Sequence, residues 1–209
     1  THERLASLDE ALGREDARVQ SSPWEEVRDF FHYCDNYIDA VDRAAESFAA
    51  TRDSGKSLRD AAIQALNARR IQVEFTASQT FRQYDANSGV LRISSLAPDE
   101  TQTFQILLQL ALITQDKLLE ATLDFARFQT EEARAIAKIG LANYYAGAAL
   151  MPYGAFLQAA QDHRHDLEIL SHHFAASVEQ VAHRLSTLQR PGHKGIPFFF
   201  VRVDQAGTI

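Results

Sequence analysis

The segment at residues 103–113 reads TFQILLQLALI and is apolar on almost every side of a helix. It follows Pro98-Asp99-Glu100, a combination of proline and acidic residues that is typical of a helix start. A helix without a polar face is a buried one. We therefore predict a central buried helix that begins near Pro98, with the rest of the chain packed around it.

The composition is that of a globular protein. The chain has 209 residues, of which 45% are hydrophobic and 23% charged, with 9 Gly and 5 Pro. Its 21 Lys+Arg against 28 Asp+Glu give a net charge of −7, which speaks against DNA binding over the whole surface because such binding neutralises phosphates with cations. The single cysteine, Cys34, rules out an internal disulfide framework and fits a reducing compartment.

No apolar stretch approaches the roughly 20 residues that cross a bilayer. No signal-peptide pattern opens the chain. We therefore expect a cytoplasmic protein with no membrane partner. The chain begins at Thr1 rather than at a methionine, so we expect a fragment of a longer protein.

The remaining periodicity predicts an α+β fold that is mostly helical. Alternation in 71–75, and a hairpin whose strands flank Gly89, predict a small antiparallel sheet of about three strands. Helices are expected at 23–51, 58–69, 98–113, 130–151, 152–162, 166–173 and 177–189, with a strand at 196–203. We divide the chain into a linker or N-terminal helix (1–22), a helical segment packing on the core (23–70), a core (71–165), and helix-turn-helix-like helices with a C-terminal strand (166–209).

Several kinds of chemistry are not indicated. The four clustered histidines, His163, His165, His172 and His173, lack the i,i+3 or i,i+4 spacing that places two ligands on one metal ion. Cys34 lies on an apolar helix face, as a small core residue does. No nucleophile elbow and no complete glycine-rich phosphate loop occurs.

A basic stretch stands out from the acidic average. Between Glu179 and Asp204 there is no acidic residue, and the cations there are Arg184, Arg190, Lys194 and Arg202. Such a set can collect the phosphates of a nucleotide-like ligand. The alternative is that these cations pair with acids of the first predicted helix, and the residues alone leave both open.

The central helix also suggests a pocket. It is expected to face a helix with many small residues around 140–149, where Tyr144 and Tyr145 supply hydroxyl groups. A cavity there would suit an apolar ligand with one polar handle. Plain core packing is the alternative.

Two motifs resemble known families. The sequence ANYYAGAALMP at 142–152 is similar to a signature of the IrrE-like zinc peptidases. The stretch from His183 to Gly207 resembles the short-chain acyl-CoA-responsive transcription regulators of actinobacteria that control the methylcitrate and glyoxylate pathways. The resemblance implies three parts: an N-terminal helix-turn-helix DNA-binding domain, a central peptidase-like domain that senses ligand, and a cysteine-rich C-terminal region. This chain would be the central part.

The chain departs from the peptidase pattern at the metal site. Laying residues 103–113 on the zinc-binding helix of that family places Leu108, Gln109 and Leu112 at the first His, the catalytic Glu and the second His, and the downstream carboxylate ligand falls near Ile139. Zinc chemistry requires nitrogen, oxygen or sulfur ligands and a base. We therefore expect a peptidase-like core without metal and without enzymatic activity.

The resemblance then implies a sensor of a short-chain acyl-CoA of the propionyl type, controlling DNA binding by a domain outside this chain. The acyl tail is expected among Phe104, Leu108, Leu112, Tyr144 and Tyr145. Tyr37 or Phe31 is the candidate for stacking on adenine. The candidates for the phosphates are Arg184, Arg190, Lys194 and Arg202, with Arg28 and Arg164 as further ones. Two alternatives stay open, a DNA-binding module at 166–189 and a dimerisation module using the first helix; a homodimer is expected in either case.

Overall fold

The structure is a computed structural model, and it describes residues 22–52 and 55–199. The described chain is mostly helical with one small sheet, which confirms the predicted fold class. In chain order the elements are α1 (Pro23–Tyr33), α2 (Asp39–Ala50), α3 (Leu58–Asn67), β1 (Gln72–Thr76), β2 (Arg82–Asp85), β3 (Val90–Ser94), α4 (Asp99–Thr114), α5 (Asp116–Asp124), α6 (Glu131–Leu150), α7 (Tyr153–Asp162), α8 (Leu167–Phe174) and α9 (Val178–Ser186).

Helix α4 lies at the centre, as its apolar sequence predicts. Its residues Ile106 to Ala111 are all buried. It packs against α3 and α6. Helix α6 comes close because the residues on its buried face are mostly alanines, such as Ala137, Ala142 and Ala146. A second apolar cluster, built around Tyr153 and Phe156, joins α7, α8 and α9.

The sheet differs from the prediction in one pair of strands. Strands β2 and β3 form the expected antiparallel hairpin, but β1 pairs with β3 in parallel, from Gln72 opposite Val90 to Thr76 opposite Ser94. The order is β1-β3-β2, so the sheet is mixed and the fully antiparallel prediction is wrong. Strand β3 takes the central place because it carries the buried side chains Leu91 and Ile93.

The long first helix of the prediction is two helices. Helix α1 ends at Tyr33 and α2 begins at Asp39. Between them Asp35 and Asn36 have positive φ angles of 52° and 55°, a conformation that Asp and Asn adopt more readily than other non-glycine residues. The break redirects the chain so that Val41, Asp42 and Ala45 of α2 become buried.

Two further differences concern short segments. Helix α5 was not predicted, since its nine residues carry only a brief apolar stripe. In the predicted strand at 196–203, residues 196–199 are not in a strand, and residues 200–203 lie outside the described part of the chain. Among the described residues no helix is both long and apolar enough to cross a bilayer.

Candidate functional site

The α4 positions that the resemblance assigns to the peptidase metal site are filled by core packing, whereas Ile139, the position expected for the downstream carboxylate ligand, is 40% exposed on α6. Leu108 is buried, and Phe104 and Leu112 are half-buried against the same apolar cluster. Aliphatic side chains cannot ligate zinc, and the amide of Gln109 cannot take a proton as a base does. The residues present therefore do not fit the metal. Across the described ranges, no group of three or more His, Cys, Asp or Glu side chains is arranged to hold a metal ion.

Gln109 has a different partner. It is buried, and its Oε1 accepts a hydrogen bond from Arg82 Nη1 on β2. Burial lowers the pKa of Arg82, and the Arg82 Nε is buried with no hydrogen-bond partner among the described residues. The residue at the position expected for the catalytic base is thus a neutral acceptor for a partly buried cation.

The two tyrosines of the predicted pocket have different surroundings. The Tyr144 hydroxyl donates to Asp42 Oδ2 at 2.7 Å and accepts from the Ile38 backbone N–H at 3.3 Å. Burial, with the nearby Asp42 charge, raises the pKa of Tyr144 well above its ordinary value. Tyr145 is fully buried near Phe48, and its hydroxyl has no partner in the described part of the chain. Contact of these side chains with an acyl chain stays a prediction.

Asp42 is the centre of a buried ionic cluster. Its carboxylate has no exposed surface, and Arg184 donates to both of its oxygens, at 2.6 and 3.3 Å. Arg190 Nη2 donates to Asp42 Oδ1 at 3.0 Å. The cluster therefore ties α2 to α9 and to the segment that follows α9.

Each arginine of the cluster has further partners. Arg184 donates from Nε to the Met151 carbonyl at 2.9 Å and from Nη1 to Thr187 Oγ1 at 3.0 Å. Arg190 donates to Glu46 Oε2 at 2.6 Å and to the Tyr37 hydroxyl at 2.7 Å. Burial alone would lower the pKa of Arg190, but the hydrogen bonds with Glu46 and Tyr37 raise it above the ordinary value.

Arg184 and Arg190 therefore pair with acids of the predicted first helix, which is the alternative to phosphate binding that the sequence left open. Lys194 lies 3.9 Å from Asp35 and remains half-exposed. Arg28 pairs at the surface with its neighbour Asp29, and Arg164 is exposed. Arg202 lies outside the described residues. Phosphate contacts by this set stay a prediction.

A cavity of about 640 Å³ lies beside the cluster. The ends of several helices meet at it: α2 and α6 contribute their last residues, and α3 and α4 their first. Its lining residues are Glu46, Ala49, Ala50, Arg52, Ser57, Leu58, Arg59, Asp99, Glu100, Thr103, Ala149, Leu150, Pro152, His173, Phe174 and Ala175. Pockets of this size bind small molecules and cofactors.

The wall of the cavity combines apolar and charged groups. Leu58, Leu150 and Phe174 form an apolar part. Arg59 donates to Asp99 at 3.3 Å and to Gln102 at 2.8 Å, while Arg52 is exposed. Of the predicted site residues that the structure describes, none lines this cavity. The signal that pointed nearest to it is the ANYYAGAALMP motif, since Ala149, Leu150 and Pro152 at its end form part of the wall.

We expect Asp42→Asn to lower the free energy of unfolding by about 3–5 kcal/mol, because it leaves the buried Arg184 guanidinium without a counter-charge and removes one of the two carboxylate partners of Arg190. Urea denaturation measures this change. The control is Asp29→Asn, which removes an exposed ion pair and should cost less than about 1 kcal/mol. Equal effects of the two substitutions would contradict the structural role of the cluster.

We expect Gln109→Leu to lower the free energy of unfolding by about 1–3 kcal/mol, because the Nη1 group of the partly buried Arg82 then loses its acceptor. Adding Arg82→Leu should recover much of this loss, since apolar groups replace both partners. Thermal or urea unfolding of the single and double variants tests this. A double variant less stable than the single one would be the contrary result.

The chain is similar to several known proteins. Residues 66–186 match the family described as IrrE N-terminal-like domain, and residues 187–209 match the family described as Short-chain fatty acyl coenzyme A regulator, C-terminal. A solved structure described as a Mycobacterium tuberculosis transcriptional regulator superposes with a TM-score of 0.84 at 41% identity. It covers 89% of this chain, and the match covers 58% of that structure.

Curated relatives carry related names. The "Propionyl-CoA carboxylase regulator" of Cereibacter sphaeroides is 64% identical over 100% of this chain and 45% of its own length. The "HTH-type transcriptional regulator PrpR" of Mycobacterium tuberculosis is 40% identical over 90% of this chain and 40% of its own. RamB of the same species, also named an HTH-type transcriptional regulator, is 38% identical over 90% of this chain and 40% of its own.

This chain thus spans less than half the length of the curated relatives it matches. All of these are named as regulators, which agrees with the prediction that the domain is not an enzyme. Because the match at 66–186 takes in more than half of the residues, the chain belongs to the IrrE N-terminal-like domain family, and the next residues begin a short-chain fatty acyl-CoA regulator region.

Proposed function

We propose that this chain is the ligand-sensing domain of a cytoplasmic transcription regulator and binds a short-chain acyl-CoA of the propionyl type. Binding controls the attachment of a separate N-terminal helix-turn-helix domain to DNA. The observation that carries the proposal is a peptidase-type core with Leu108 and Leu112 at ligand positions, followed directly by residues 187–209 of the acyl-CoA regulator type. A core that has lost its zinc ligands is suited to binding rather than to hydrolysis.

The cavity beside the ionic cluster offers a place for such a ligand. Its volume of about 640 Å³ lies within the range of cofactor sites. The acyl and pantetheine parts would contact Leu58, Leu150 and Phe174, and Arg52 and Arg59 lie at the same wall for the phosphates. Lys194 and Arg164, both at the surface, remain further candidates for phosphate contacts.

The acyl chain itself contributes little to the affinity. A propionyl group buries only a few carbon atoms, each worth about 0.8 kcal/mol. Most of the affinity must then come from the CoA moiety. Discrimination between propionyl and butyryl chains is therefore modest.

The DNA-binding alternative is weakened by one observation. Helix α9 would be the recognition helix of the pair α8–α9, but its arginine, Arg184, is only 3% exposed and is paired with Asp42. A recognition helix presents its cations and polar groups to the groove and the phosphates. Dimerisation of the chain stays a prediction.

We expect propionyl-CoA and butyryl-CoA to raise the melting temperature of this chain, because a ligand that binds only the folded state stabilises it. Propionate without CoA should not do so. Differential scanning fluorimetry with the three compounds measures the effect. Stabilisation by all three, or by none of them, would contradict the proposal.

A substitution that fills the cavity tests whether propionyl-CoA binds there. Ala50 is an exposed residue at the end of α2 on the cavity wall, and Ala50→Trp should abolish the shift produced by propionyl-CoA. The matched control is Ala135→Trp, at an exposed position of α6 outside the cavity lining, and it should keep the shift. An undiminished shift in Ala50→Trp would place the ligand elsewhere.

A further inference from the structure

We propose that Glu46 is an internal stand-in for the anionic part of the ligand: it occupies Arg190 in the free protein and yields it when a phosphate group enters the cavity. The inference rests on the proposed function, since it takes acyl-CoA as the occupant of the cavity. It adds a residue pair, Glu46 and Arg190, through which occupancy is sensed.

Glu46 belongs to the cavity and to the ionic cluster at once. It lines the cavity, and its Oε2 accepts from Arg190 Nη2 at 2.6 Å. Its side chain is 25% exposed. Asp42, the other carboxylate partner of Arg190 in the described chain, has no exposed surface and also holds Arg184 and Tyr144. Of the two acids, Glu46 is therefore the one that can move away.

Arg190 remains oriented when Glu46 leaves. Its Nε still donates to the Tyr37 hydroxyl at 2.7 Å, and Nη2 still donates to Asp42 at 3.0 Å. Its guanidinium also lies over the Tyr153 ring, 4.1 Å from the ring centroid. A guanidinium held in place on several sides loses little conformational freedom when it binds a phosphate oxygen.

The charge balance favours an incoming anion. Within the cluster Asp42 and Glu46 neutralise Arg184 and Arg190. When Glu46 turns away, Asp42 alone faces two guanidinium groups, and one positive charge is left uncompensated at Arg190, next to the cavity-lining Glu46. A phosphate oxygen restores the balance with a charge-assisted hydrogen bond.

The exchange reaches the segment that follows α9. The Arg190 backbone N–H donates to the Tyr153 hydroxyl at 2.9 Å, and that hydroxyl donates to the His193 carbonyl at 2.9 Å. Residues 187–209 are the part that matches the acyl-CoA regulator C-terminal family. A change of partner at Arg190 is thus a direct route from the cavity to the next region of a regulator.

The test is isothermal titration of propionyl-CoA into the wild-type chain, Glu46→Gln and Glu100→Gln. Glu46→Gln weakens the internal competitor, so we expect binding about tenfold tighter, because hydrogen bonds to charged groups are stronger than those to neutral ones. Glu100 lines the same cavity and is not among the partners of Arg190, so Glu100→Gln removes the same charge as a control and should change the affinity by no more than about twofold. Equal affinity of Glu46→Gln and wild type, or an equal gain in Glu100→Gln, would overturn the inference.

Arg190→Gln completes the experiment. In that background Glu46→Gln should no longer tighten binding, since the two residues act through one contact. A tenfold gain that persists without Arg190 would overturn the role of this pair. If the wild type binds and Glu46→Gln binds no better, only this inference fails; if neither binds propionyl-CoA, the proposed function fails with it.

Discussion

The carboxylate of Asp42 is held by Arg184, Arg190 and Tyr144 in a place with no exposed surface. Through these contacts one side chain joins α2 to α6, α9 and the segment after α9. Taking charges out of water is costly, and it is offset only when each charge keeps its partners. The cluster therefore holds these four elements together, and Glu46 links it to the wall of the cavity.

The domain uses charge differently from the zinc peptidases that it resembles. At the positions of the metal ligands it has Leu108 and Leu112 in the core, and Gln109 accepts from Arg82. By contrast, Glu46, which lines the cavity, forms a partly exposed ion pair with Arg190. Aliphatic side chains at the positions expected for the metal ligands, together with an ion pair beside the cavity, fit the proposed sensor better than a hydrolase.

Much of the fold is readable from the sequence, because α4 and α6 carry strong local patterns. The break between α1 and α2 could not be predicted from the sequence, because it depends on positive φ angles at Asp35 and Asn36 within an otherwise helical pattern. The basic stretch of 180–203 is visible as a charge asymmetry, but its partners are not: Asp42 and Arg184 are 142 positions apart. The cavity escaped prediction for the same reason, since the ends of separate helices build it.

In the proposed mechanism the ligand enters this cavity and takes Arg190 from Glu46. A crystal structure of the chain with propionyl-CoA tests it most directly. We expect a phosphate oxygen within hydrogen-bond distance of Arg190 Nη2, with the Glu46 carboxylate turned away and Asp42 still bound to Arg184. A complex in which Glu46 keeps its contact with Arg190, or in which the ligand lies outside the cavity, would contradict it.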